Sequence, residues 1–155
     1  MTLLLALIVA ATALNGLLGG ISFDGALVKL PTRRRIGAVA YATFARGNDL
    51  GNGLWVYPST AIGAALLTIV ATIVAYVERT SAAVLVPLTI ASLISIGHFV
   101  ATSQAAPVML RVGKTPDDEG LLSPLLDRFA RWHAVRATLQ VITFVILLWA
   151  LVFAR

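Results

Sequence analysis

The sequence contains no cysteine. That absence removes disulfides, thiolate metal sites and every CxxC redox mechanism. With them goes a thiol-based quinone reductase, an otherwise natural activity for a small helical bundle. Charge is the second scarcity. Asp, Glu, Lys and Arg make up 12% of the 155 residues, against roughly 25% in an average soluble domain. Only two residues, His98 and His133, are histidines. With 59% hydrophobic residues, the chain has too little polar surface to stay dispersed in water, so the composition specifies a membrane protein before any segment is inspected. The net charge of +5 reads as loop charge facing an anionic leaflet. Its basic residues belong to no soluble module and are not interleaved with exposed aromatics, so nucleic acid is not an expected partner.

What is present is dominated by four long apolar segments, each near the roughly 20 residues needed to cross the hydrocarbon core. They run from about Leu3 to Val28, Trp55 to Val77, Ala82 to Ala105 and Ala134 to Phe153. The first has no basic n-region and is too long for the h-region of a signal peptide, so it reads as a retained helix. The chain is therefore expected to form a single domain over 1–155. Its fold class is all-α, an integral membrane four-helix bundle with short amphipathic interfacial helices in the first and third loops. In "RRIGAVAYATFARG", Ile36, Val39, Ala40 and Phe44 fall near one helical face, flanked by Arg33 and Arg46. "GNDLGNG" then breaks that helix. In the third loop Ser123 reads as a cap and Pro124 as the first helical position, so the last helix is expected to begin there, outside the bilayer. The third helix is expected to end near Ala105, ahead of Pro107. Glu78–Ser81 reads as a tight turn joining the second and third helices as an antiparallel hairpin. No internal repeat is visible.

Polar groups in a membrane helix are costly unless they face a partner or a wet cavity, so their positions report which face looks inward. At 100° per residue His133, Arg136, Gln140 and Thr143 fall within roughly 80°, a stripe about 15 Å long. Thr12, Asn15, Gly19, Ser22 and Ala26 form a stripe on the first helix, and Ser95, His98 and Thr102 on the third. Thr68, Thr72 and Tyr76 form a weaker one on the second. Gly, Ser and Thr on such faces often serve close packing alone, and that reading is preferred for "NGLLGG" at Asn15–Gly20. Arg131 fits a snorkelling residue and Trp132 an interfacial belt residue. Asp24 lies away from Asn15 and Ser22, where it can pair with Lys29 or with the Arg33–Arg35 run. Counting back from Ala105, His98 falls closer in depth to Arg136 and Gln140 than to His133. No carboxylate stands where a third ligand would be needed, so no metal site is expected.

These positions outline an apolar pocket with a few convergent polar groups, the usual make-up of a small-molecule site. His133, His98 and Arg136 are the expected catalytic residues. A neutral imidazole can act as base, and a guanidinium stabilises the anion that proton removal leaves. Asn15, Ser22, Thr102, Gln140, Trp132 and Tyr57 are the expected substrate-binding residues. No activated serine nucleophile is evident. "GNDLGNG" lacks the strand-then-helix context of a phosphate loop.

Three stretches carry a family resemblance: "ALNGLLGGISFDGALVKLP", "YATFARGNDLGNGLWVYP" and "DRFARWHAVRATLQVITFVILLWAL". Together they resemble the anthrone-oxygenase-like family of small four-helix membrane proteins. The most telling feature is a Trp, a polar residue and then an Arg at the start of the fourth helix. The resemblance implies a four-helix membrane bundle. Fungal members of that family oxidise anthrones to anthraquinones with molecular oxygen and no cofactor. It also implies that His133 and Arg136 belong to the motif. The family's Asn- and Pro-containing segment after helix three is matched here by "TSQAAPVML", with Gln104 and Pro107 but no Asn.

Two functional expectations lead. One is a cofactor-independent membrane enzyme that oxygenates or isomerises an apolar, enolisable aromatic or quinone-like molecule. The other is a non-enzymatic module that binds a lipid or partner through its polar interior and basic loops. Transport comes third, because four helices without an inverted repeat are few for alternating access unless copies of the chain assemble as a homo-oligomer. Nine of the twelve Lys and Arg residues fall in the first and third loops or their flanks: Lys29, Arg33, Arg34, Arg35, Arg46, Arg111, Lys114, Arg128 and Arg131. That bias puts those loops on the cytoplasmic side of the cell (inner) membrane and both termini outside. An Arg34→Cys variant should therefore resist an impermeant thiol reagent applied to intact cells and react after permeabilisation. Labelling of intact cells would reverse the topology.

Overall fold

The structure, a computed structural model, describes residues 2–154. Every apolar segment folds as a helix, and each helix overruns the span read from the sequence. Helix α1 (Leu3–Asp24) passes through one π-helical turn, Gly25–Lys29, into α2 (Leu30–Ile36). Helix α3 (Ala38–Gly47) passes through a second π segment, Asn48–Asn52, into α4 (Gly53–Val77). Helices α5 (Ala82–Lys114) and α6 (Glu119–Phe153) complete the chain. The four resulting rods, Leu3–Ile36, Ala38–Val77, Ala82–Lys114 and Glu119–Phe153, are each long and apolar enough to cross a membrane. α1 packs on α4 and α6, and α5 packs on the same two, so neighbours in sequence are neighbours in space around an up-and-down bundle. Leu66, Ile73, Leu93, Ile96, Val145 and Trp149 stay exposed on its outside, as lipid-facing positions should.

The Glu78–Ser81 turn forms as expected. It closes with Thr80 N donating to Ala75 O (3.1 Å) and Arg79 N to Tyr76 O (3.2 Å). This is the paired bonding that lets a helix stop on one left-handed residue. Arg79 occupies that position at φ 50°.

The interior is layered. At the end bearing the chain termini, Ile8, Ala71, Ala75, Leu88, Ala91, Leu147 and Ala150 form a dry cluster. At the basic end, Leu30, Tyr41, Ala42, Val108, Met109, Val112, Leu122, Leu126 and Phe129 form another. The inward stripes lie between them. Thr12, Asn15, Ser22, Thr68, Ser95, His98, His133, Gln140 and Thr143 are buried. Tyr76 departs from its expected stripe and is 73% exposed.

The loops differ most from expectation. α5 continues past Ala105 and Pro107 to Lys114. The proline costs one backbone bond on an exposed face, and burial of Val108, Met109 and Val112 in the basic-end cluster outweighs it. The last helix starts at Glu119, not Pro124. Its cap is Asp118, whose side chain accepts from Leu121 N at 2.9 Å. Pro124 lies inside that helix, so the third loop holds only Thr115–Asp118 and no interfacial helix of its own. The first loop does hold short helices, but α3 buries Ala38, Tyr41, Ala42 and Ala45, while Ile36 and Phe44 are exposed. Its buried face is the small-residue face, because α3 packs against the overhang of α5 and α6 and does not float on lipid. At 33 and 35 residues those two helices are long. They extend about 50 Å, some 20 Å beyond a hydrocarbon core of about 30 Å.

Three polar links bolt the first loop to this overhang. Arg33 pairs with Asp127. Arg46 pairs with Asp117 (2.6 Å) and donates to Thr115 O (2.7 Å) beyond the end of α5. Glu119 accepts from Ala38 N (2.7 Å) and Val39 N (3.2 Å), capping α3 from the far side of the sequence where Gly37, at φ 87°, turns the chain. Glu119→Ala should leave those amides without a partner and cost about 1 kcal/mol. Amide exchange in detergent should speed up at Ala38 and Val39 ahead of the bundle core. Unchanged protection there would show that the cap is idle.

Candidate functional site

The π turn at Gly25–Lys29 is the local event on which the site turns. Leu30 N donates to Gly25 O, five residues back, and one extra residue widens the helix there. The wider turn makes residues five apart into neighbours, and Lys29 Nζ pairs with Asp24 at 2.9 Å. On the inner side, the turn brings the backbone against α6. His133 Nε2 donates to Ser22 O at 3.2 Å. A Cβ built on Gly25 would stand 2.6 Å from the same nitrogen, so any larger residue there would displace the imidazole from this seat.

His133 Nδ1 lies 2.6 Å from Arg136 Nη2. A guanidinium can only donate and a carbonyl can only accept. Nδ1 is therefore the acceptor and Nε2 carries the hydrogen: His133 is a neutral imidazole with both ring nitrogens engaged. The chain Arg136–His133–Ser22 O runs from α6 to α1. Among the described residues Arg136 has no carboxylate within ion-pair distance, and its buried Nε has no hydrogen-bond partner.

Those donors border a cavity of about 360 Å³ between the basic-end half of the bundle and α3. Its walls are mostly apolar, with Leu18, Leu30, Leu50, Ala61, Met109 and Phe129 among them. Its ionisable side chains are Lys29, Tyr41, Asp49, Tyr57, His133 and Arg136. Ile21, Phe44, Leu54, Ile62, Phe99 and Leu110 both line it and show on the outer surface. The mouth is therefore apolar.

Of the residues picked from sequence, His133, Arg136, Ser22, Thr102 and Tyr57 line this cavity. Asn15, His98 and Gln140 do not. They border a separate void of about 10 Å³ nearer the bundle middle, together with Ser95 and Thr143. There Gln140 Nε2 donates to His98 Nε2 at 2.7 Å, leaving Gln140 Oε1 buried without a partner. Asn15 Nδ2 donates to Thr68 Oγ1 at 3.1 Å. Thr102 Oγ1, 3.3 Å from His98 Nε2, stands between the void and the cavity. His98 and His133 thus serve different compartments. Trp132 reaches neither, because its ring packs half-buried against the basic-end cluster. Sequence reasoning missed Asn48 and Asp49, which enter the wall from the second π segment. Asn48 Nδ2 donates to Asp49 Oδ1 (2.7 Å) and to Tyr57 Oη (3.3 Å). The only available signal was a pair of polar residues inside a glycine-rich break, and that pattern reads as a linker.

Comparison with protein-family models, with characterised proteins and with solved structures returns no match. Gly25→Ala tests the geometry directly. It should force the His133 ring off Ser22 O and cost about 1–3 kcal/mol as an overpacked site, seen as a lowered unfolding midpoint in detergent. Parent-like stability would mean that the imidazole is not seated against this turn.

Proposed function

We propose that the protein is a membrane-embedded enzyme acting on an apolar aromatic molecule with an enolisable carbonyl, drawn from the bilayer into the cavity beside Arg136. One observation carries this reading: a guanidinium held through its Nη2 by a neutral partner borders an apolar cavity of about 360 Å³. Drug-sized ligands occupy pockets of roughly 300–1,000 Å³. In such surroundings a fixed cation stabilises an oxyanion far more than it would in water. His133 holds the guanidinium by its Nη2 edge and, anchored on Ser22 O, acts as its positioning residue.

The chemistry follows the family resemblance. An anthrone-type CH₂ loses a proton, and its electron pair moves onto the carbonyl oxygen as an enolate facing Arg136. The electron-rich enolate reduces molecular oxygen directly and forms a C–O bond. The resulting hydroperoxide loses water as the second C–H bond breaks. In sum, CH₂ and O₂ become C=O and H₂O, with no cofactor required. The positive-inside bias puts the cavity in the cytoplasmic half of the inner membrane.

A specific observation favours a second reading, binding without catalysis: both nitrogens of His133 are already committed. Anthrone and anthracene, which share a ring skeleton but not a carbonyl, separate the two. The protein in nanodiscs should bind anthrone more tightly than anthracene and accelerate its oxidation to anthraquinone. Arg136→Lys should lower turnover by about 10²–10³-fold, the usual effect of losing an oxyanion donor, since an ammonium cannot copy the planar fork. Preference for anthrone without turnover would leave the binding reading. No preference would remove both.

A further inference from the structure

We propose that Asp49 is the proton acceptor of this site. Its substrates would then be molecules that span from Asp49 to Arg136, with an acidic C–H at one end and the carbonyl oxygen at the other. The inference rests on the preceding reading and names the group that reading lacks.

Elimination over the cavity wall leads to Asp49. Lys29 is tied to Asp24. His133 has no free lone pair, one nitrogen accepting from Arg136 and the other donating to Ser22 O. Arg136 is a cation with no proton-accepting atom. Tyr41 and Tyr57 offer only phenol hydroxyls, with neither a carboxylate nor an imidazole to take up a proton. Asp49 remains. One of its carboxylate oxygens accepts from its neighbour Asn48 at 2.7 Å, and among the described residues it forms no ion pair. Asn48 is in turn set against the Tyr57 hydroxyl, so the carboxylate is oriented but not neutralised.

Two opposite charges therefore border one apolar cavity without touching. In a low-dielectric space their attraction is large, and a ligand able to satisfy both gains from each. A carbonyl at Arg136 and an acidic C–H at Asp49 meet that condition. On reaction the C–H bond breaks and the proton passes to an Asp49 oxygen. The electron pair is delocalised onto the carbonyl oxygen, where Arg136 compensates it. Asp49 is half-buried and not sealed, so its proton can return to solvent between turnovers. Just past it the helix kinks, where Gly51 leaves helical geometry at φ −86°, ψ −119°.

Hydrogen exchange of the substrate tests this without oxygen chemistry. Anthrone is incubated anaerobically with the nanodisc protein in D₂O, and replacement of its CH₂ hydrogens is followed by mass spectrometry. The parent should accelerate exchange over empty nanodiscs. Asp49→Asn should lose about 10²–10⁴-fold of that acceleration while still preferring anthrone to anthracene. Asp49→Glu should keep part of it. Asn48→Ala, which frees the carboxylate without removing it, should fall between parent and Asp49→Asn and serves if Asp49→Asn does not fold. Parent-rate exchange by Asp49→Asn, or no acceleration by a parent that binds anthrone, overturns the inference and leaves the Arg136 binding reading intact. Failure of the parent to prefer anthrone overturns both.

Discussion

A cation inside a membrane bundle must be accommodated before anything else in the structure can stand, and Arg136 sets that constraint. A charged side chain at bilayer depth costs several kcal/mol unless it faces a partner or a cavity. Here it faces both. His133 receives one of its N–H groups, Ser22 O receives the hydrogen of His133, and the guanidinium borders the cavity, with its buried Nε left without a partner. Each step makes a demand on the sequence. The imidazole needs a neighbour without Cβ, supplied by Gly25. The first helix widens at that same residue to become a π turn. A short run of local choices on α1 thus answers one residue on α6.

The overhang has a different logic. α5 and α6 leave the hydrocarbon region, and beyond it their apolar faces would meet water. α2 and α3 cover them with a small-residue face, and Arg33, Arg46 and Glu119 fasten the cover through Asp127, Asp117 and the first amides of α3. Charges that looked available for lipid headgroups are partly spoken for. Arg34 and Arg35 stay exposed, whereas Arg33 and Arg46 are held inside the protein.

Much of the fold was legible because its signals are long and redundant. Four apolar runs near the bilayer length leave few alternatives, and a stripe such as His133–Gln140–Thr143 has only one inexpensive direction in which to point. The depth of His98 beside Gln140 was legible because it follows from helical spacing, whereas the choice of Lys29 over the Arg33–Arg35 run as partner of Asp24 depends on the π turn. The remainder depended on single events. Whether α5 stops at Pro107 is decided by what Val108 and Met109 touch, and a local reading does not contain that contact. Asp118 and Ser123 are both good caps, and the choice between them rests on tertiary packing of Leu122. The second π segment, Asn48–Asn52, breaks the regular helical register, so Asp49 enters the cavity from a segment whose glycines signal only a break. His133 was legible as a site residue, but which of its nitrogens were free depended on a carbonyl more than a hundred positions away.

The packing at the far end of the bundle bears on traffic. Ile8, Ala71, Ala75, Leu88, Ala91, Leu147 and Ala150 close the bundle there with methyl groups and short branches, and the polar layer above the cavity leaves room for little more than a water molecule. The cavity is closed on that side. A molecule that enters through the apolar mouth therefore meets a packed wall in that direction and finds no passage through the bundle to the end bearing the termini.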